Sequence, residues 1–143
     1  MSVERALTIR QPWASAIFLA GKDIENRSRP MRGAVGRTIA IHASAQIGRN
    51  ATEALERIAA RSGVELRLDE LPRGAIVGVV RVVAIVETST SPWFEGRYGL
   101  ELANPVAIDP IGCLGRLQLW RLDDALVRAV HARLAGDAVS EAA

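Results

Sequence analysis

Ala75-Ile76-Val77-Gly78-Val79-Val80-Arg81-Val82-Val83-Ala84-Ile85-Val86-Glu87 is an almost continuous run of apolar and β-branched residues. Branched side chains are stiff about χ1 and fit a pleated surface. A run without apolar-polar alternation describes a strand covered on both faces rather than one wetted on one side. Gly78 falls where a barrel strand can bend. The stretch therefore predicts a long strand as the spine of the fold.

Upstream, Leu7 to Ile9 reads as a short strand leading into Gln11-Pro12, and proline suits a helix start. Trp13, Ile17 and Ala20 then recur at helical spacing, and Gly21 is placed to end the helix. Ile24 to Ser28 is extended, which puts Glu25 and Arg27 on one face and Asn26 on the other. Lys22 joins Glu25 and Arg27 if it lies in the bend before that strand. Pro30, Gly33 and Gly36 mark a loop. Arg37 to Ser44 alternates, with Ile39, Ile41 and Ala43 on one side and Ala40, His42 and Ser44 on the other. Asn50 with Glu53 has the form of a capping box for a scaffold helix to about Ser62.

Downstream, Tyr98 to Leu102 and Leu114 to Leu122 read as two strands separated by Pro105, Pro110 and Gly112. Asp123 caps a last helix with a Leu126, Val127, Val130, Leu134 stripe, ended by Gly136. Strands interleaved with about three helices predict an α+β protein built on a small mixed barrel. A chain of 143 residues, 49% hydrophobic and 24% charged, has the size of one domain. Residues 1–136 are expected to form it, with 137–143 as a flexible tail.

The single cysteine, Cys113, cannot form an internal disulfide, which predicts a reducing, cytoplasmic setting. The N-terminal apolar stretch is interrupted by Arg10, Gln11 and Pro12 and has neither the length of a membrane span nor the layout of a signal peptide. No His/Cys/carboxylate group has structural-metal spacing, so no cofactor is expected. A divalent ion shared transiently by Asp23, Glu25 and a phosphate has no further support.

Charge is unevenly distributed. Residues 22–37 hold five cations against two carboxylates, a net +3, while the other 127 residues hold 13 cations and 14 carboxylates. A basic segment on a near-neutral body is the footprint of an anionic partner, and also of a solvated arginine-rich loop. Within it, Lys22 is the sole lysine among 18 basic residues. Arginine presents a planar fork and lysine a compact charge, so the two are not interchangeable.

Leu7-Thr8-Ile9-Arg10-Gln11-Pro12-Trp13, the Lys22-x-x-Glu25-x-Arg27 spacing, Ile41-His42-Ala43-Ser44, Gly78-Val79-Val80 and Leu119-Trp120 together resemble the ASCH domain family of the PUA-like superfamily. The likeness spans roughly residues 6 to 122. One departure is that the family's glycine two residues before the lysine is Ala20 here. The resemblance implies a PUA-like β-barrel flanked by helices, a cleft lined by the Lys22 to Arg27 segment, and a link to RNA. Some members resemble amidohydrolases that deacylate N4-acetylcytidine. Those carry threonine where this chain has Glu25, and a carboxylate does not replace a hydroxyl nucleophile without a change of chemistry.

These readings converge on a module that binds RNA, preferably single-stranded, or a nucleotide. Arg10, Lys22, Arg27, Arg29 and Arg32 would meet phosphate, unless Lys22 and Arg27 simply pair with Glu25 or Asp23. Trp13 or Trp93 would stack on a base, the competing role being core packing, which is the reading for Trp120. His42 and Ser44 would line the cleft. The alternatives are an enzyme on RNA or modified nucleosides (a ribonuclease or amidohydrolase), with Lys22 and Glu25 exchanging protons with substrate, and a protein-interaction domain.

Overall fold

The computed structural model describes residues 2–142, with the backbone alone for 137–142. Its sheet contains β1 (Arg5–Ile9), β2 (Ile24–Arg27), β3 (Thr38–Ala43), β4 (Ala75–Val86), β5 (Tyr98–Gly112) and β6 (Leu119–Arg121), in the order β2-β5-β4-β3-β1-β6. The β1 and β3 strands run parallel and every other neighbouring pair is antiparallel. Three helices flank the sheet: α1 (Trp13–Leu19), α2 (Ala51–Ser62) and α3 (Asp124–Ala142). The result is the α+β half-barrel that the sequence predicts. No helix among the described residues is long and apolar enough to cross a membrane.

β4 is the spine, and its first half is covered on both faces. Val77, Val80 and Val82 join Leu7, Ile9, Ile39, Ile41 and Leu100 beneath α1, whereas Ile76 and Val79 join Ala6, Ala40 and Trp120 beneath α3. A regular strand would put residues 77 and 79 on one face. Here the β4–β5 register slips between Ile76 and Gly78, between Val79 and Arg81, and between Val82 and Ala84. Each slip redirects the alternation and bends the strand, which curls the sheet.

Four sequence expectations are corrected. Tyr98 to Gly112 is one strand, because Pro105 and Pro110 fall opposite two of those register slips, where ladder hydrogen bonds are already interrupted. Leu114 to Gln118 is loop, and only Leu119–Arg121 is strand. Asn50 precedes α2 without any side-chain cap, since its φ of −101° and ψ of 27° lie outside the extended conformation that capping requires. Asp123 does cap α3, its Oδ1 accepting from the Leu126 N–H at 2.8 Å. The α3 backbone continues past Gly136, where the sequence reading ended it. The tail expected at 137–143 lies beyond the residues described in full.

Gly78 is fixed by contact. A Cβ there would lie 2.5 Å from the Phe18 ring and 2.6 Å from the Val106 carbonyl oxygen, so α1 approaches β4 through the missing side chain. Gly78→Ala should lower the unfolding free energy in urea by about 1–3 kcal/mol or more, the usual cost of overpacking. Gly112→Ala, with open space around its Cβ, should stay within about 0.5 kcal/mol.

Candidate functional site

The site begins at the turn between β1 and α1. Gln11 is buried, and its Oε1 accepts from the Ser15 N–H at 2.9 Å while its Nε2 donates to Ser15 Oγ and to the Pro72 carbonyl, each at 2.8 Å. The side chain thus satisfies a first-turn donor of α1. Arg10 O accepts from the Trp13 N–H at 3.0 Å, which closes the turn and places Arg10 and Trp13 beside each other.

At the other end of α1, Ala20 is the C-cap and Gly21 takes φ +72°, the left-handed conformation that ends a helix. The Lys22 N–H folds back to the Ala16 carbonyl at 3.2 Å, which turns the lysine side chain toward the start of β2. Lys22 Nζ donates to Glu25 Oε1 at 2.7 Å, and Arg27 Nη1 donates to Glu25 Oε2 at 3.4 Å. The side chains of Lys22 and Glu25 are 2% and 8% exposed and that of Arg27 is 27% exposed, so the lysine lies deepest and the arginine faces water. Lys22 Nζ also sits 5.8 Å from the centre of the Trp13 ring, within cation–π range. The expected face-sharing of Glu25 and Arg27, with Lys22 in the bend, is present.

Thr8, Ile9, Arg10, Trp13, Glu25, Asn26 and Arg27 line a cavity of about 330 Å³. β1 and β2 are far apart in the strand order, so their meeting across one cavity is a consequence of the sheet's curl. On one flank, Arg10 and Trp13 also border a smaller cavity with Arg49 and the first turn of α2. On the other, Arg27 and Arg29 border a cavity of about 510 Å³ that reaches Leu117 and Gln118 before β6. Arg32 is exposed on a 3₁₀ turn (Arg32–Ala34) and lines none of these.

A further cavity, of about 700 Å³, lies under the loop that leads to β6. It holds His42, Ser44 and Thr8 together with Leu114 and Leu117, which are 90% and 89% exposed. His42 is itself buried, with Nε2 2.9 Å from the Cys113 carbonyl and Nδ1 3.3 Å from Thr8 Oγ1. A carbonyl only accepts, so Nε2 carries the proton and Nδ1 accepts from the threonine hydroxyl, which in turn accepts from Trp120 Nε1 at 3.0 Å. Both ring nitrogens are therefore engaged, and His42 is not poised as a base for Ser44. Burial raises the pKa of the Cys113 thiol, a smaller rise comes from Asp123, and a backbone hydrogen bond from Ile76 opposes both.

Trp93, one of the two stacking candidates, is buried against Ala16, Ile24 and Ile58. Asn26 holds it there, its Nδ2 donating to the Trp93 carbonyl and its Oδ1 accepting from the Glu95 N–H. The polar positions that sequence reading missed, Thr8, Gln11 and Asn26, all act through partners at least four residues away. Asp23 and Glu25 border different cavities: Asp23 accepts from Ser91 Oγ at 2.6 Å and lines one with Glu101. Among the described residues no three His, Cys, Asp or Glu side chains group as metal ligands.

The curled six-stranded mixed sheet with three flanking helices is an ASCH-type fold. Among solved structures, ASCH from Zymomonas mobilis aligns with a TM-score of 0.55 over 90% of this chain and 93% of its own, at 17% identity. Two single-substitution mutants of the same protein align at TM-scores of 0.55 and 0.53, also at 17% identity, over 90% of this chain and 96% and 94% of theirs. At that identity the likeness establishes the fold. No protein-family model and no curated protein matches the sequence.

A buried ion pair is costly to break from one side, because the remaining charge stays buried without its partner. Lys22→Met and Glu25→Leu should each cost about 3–5 kcal/mol in urea unfolding. The double variant should cost well below the sum, the non-additivity expected of contacting residues. Additive costs would show that the two residues are not coupled.

Proposed function

We propose that the chain binds single-stranded RNA or a nucleotide in the cavity bounded by Arg10, Trp13, Glu25 and Arg27. One observation carries the reading: two arginines, an aromatic ring and a buried carboxylate, drawn from two distant strands and the start of α1, border one small opening. Each group suits one part of a nucleotide. An arginine fork takes phosphate oxygens through charge-assisted hydrogen bonds. A half-buried tryptophan beside them offers a stacking surface, worth about 1–3 kcal/mol per base. A duplex keeps its bases paired and unavailable to such an opening. The adjoining cavity, bordered by Arg27 and Arg29, extends the basic surface.

Lys22 acts from beneath in this reading. Its ammonium holds Glu25 and supports Trp13, and the phosphate contacts fall to Arg10, Arg27 and Arg29. The ASCH proteins that share the fold support the RNA class by resemblance.

Fluorescence anisotropy with a labelled single-stranded RNA tests this. Affinity should fall with salt with a log-log slope of about −0.7 per phosphate engaged. Arg27→Ala should weaken binding about tenfold or more and make that slope shallower by about 0.7. Trp13→Ala should weaken binding with the slope unchanged. Arg128→Ala, on α3 away from the cavity, should do neither. Binding indifferent to salt, or equal for a fully paired duplex, overturns the assignment.

A further inference from the structure

We infer that Glu25 makes this cavity selective for guanine, an inference that rests on the RNA-binding reading above. A carboxylate only accepts, through about four lone-pair sites over its two oxygens. Lys22 occupies one site on Oε1 and Arg27 one on Oε2. Acceptor capacity therefore remains on each of the two adjacent oxygens, on a side chain that lines the cavity.

The other polar groups of the cavity do not compete for the same role. The Asn26 amide is uncharged and is held in place at both ends, its nitrogen donating to the Trp93 carbonyl and its oxygen accepting from the Glu95 N–H. The Thr8 hydroxyl is engaged by His42 and Trp120. Arg10 and Arg27 only donate. Among the described residues that line the cavity, Glu25 is thus the one charged acceptor, and it has capacity left on both oxygens. A volume of about 330 Å³ is at the lower end for small-molecule sites, suited to a single planar group.

Two parallel acceptors need two adjacent donors. On its Watson–Crick edge guanine presents N1–H beside N2–H₂, which meets both oxygens. Adenine and cytosine each place one amino donor beside a ring-nitrogen acceptor, which would face the second carboxylate oxygen across two lone pairs. Uracil places its single N–H between two carbonyls and fits worst. A buried acceptor left opposite another acceptor loses a hydrogen bond and keeps its desolvation cost, which is the source of the selectivity.

The test uses labelled RNA pentamers that differ only at the central base: UUGUU, UUAUU, UUUUU, and the inosine form, which keeps N1–H and lacks the 2-amino group. Anisotropy titrations with the intact chain at one salt concentration should place guanine tightest. Inosine should be about tenfold weaker, and uracil weaker by on the order of ten- to a hundredfold. Glu25→Gln, whose amide presents one acceptor and one donor, should reduce the ratio of guanine affinity to that of the other bases toward one, and that ratio rather than the affinity for any one pentamer is the readout. If that variant fails to fold, the guanine and inosine comparison on the unsubstituted chain decides the question alone. Equal affinity for guanine and uracil, or for guanine and inosine, overturns the selectivity and leaves RNA binding standing. Binding of none of the pentamers overturns the RNA reading itself, and the selectivity with it.

Discussion

The 2.7 Å contact between Lys22 and Glu25 determines the geometry around it. Two opposite charges almost fully removed from water are favourable only in a tight, well-oriented pair, and even then their gain is offset by desolvation. The pair specifies position more than it adds stability. It ties the exit of α1 to the first turn of β2, fixes which face of β2 looks into the cavity, and leaves Arg27 as the cation that reaches solvent. A lysine suits the deep position because its charge is compact and its three donors rotate, whereas the wide guanidinium fork would need several acceptors there. That explains why the one lysine of an arginine-rich chain sits at this point.

Much of this was legible in the sequence, because the decisive contacts are local. Gly21, Lys22, Glu25 and Arg27 lie within seven residues, and a helix stop followed by an extended segment is enough to bring three of them together. The double-sided core of β4 was legible for the same kind of reason, as a property of one uninterrupted run. The α3 stripe and its Asp123 cap were likewise written in one stretch.

What was not legible depends on pairing. Pro105 and Pro110 look like loop punctuation until β5 is laid against β4, where both fall at register slips. They mark the bends that curl the sheet. Trp93 lies among turn-forming residues and looks exposed, yet it is buried, because Asn26 clamps its loop from 67 residues away. His42 and Ser44 read in the sequence as residues that line the cleft, with no sign of what holds the imidazole. The parallel β1–β3 register sets Thr8 opposite His42, and the loop before β6 supplies the Cys113 carbonyl, so the ring has no free nitrogen. Gly115 completes that arrangement, since a Cβ there would come within 2.7 Å of the His42 ring and 2.8 Å of Thr8 Oγ1.

The position of the basic residues follows from the same curl. The sheet ends in β2 on one side and β6 on the other, and these two strands do not pair. Residues from both edges nonetheless face one another across the cavity that holds Asn26, Arg27, Ser28, Arg29 and Met31 on one side and Leu117 and Gln118 on the other. The seam of an incomplete barrel is thus the opening itself. Open sheet edges invite pairing with another chain, and charge on the edge opposes it. Arg27 and Arg29 place positive charge along the β2 side of the seam, where it discourages a second strand from docking and favours a polyanion. A closed barrel would pair that edge and erase the cavity, so the two side chains that protect the edge are also the ones to which the proposed function assigns phosphate.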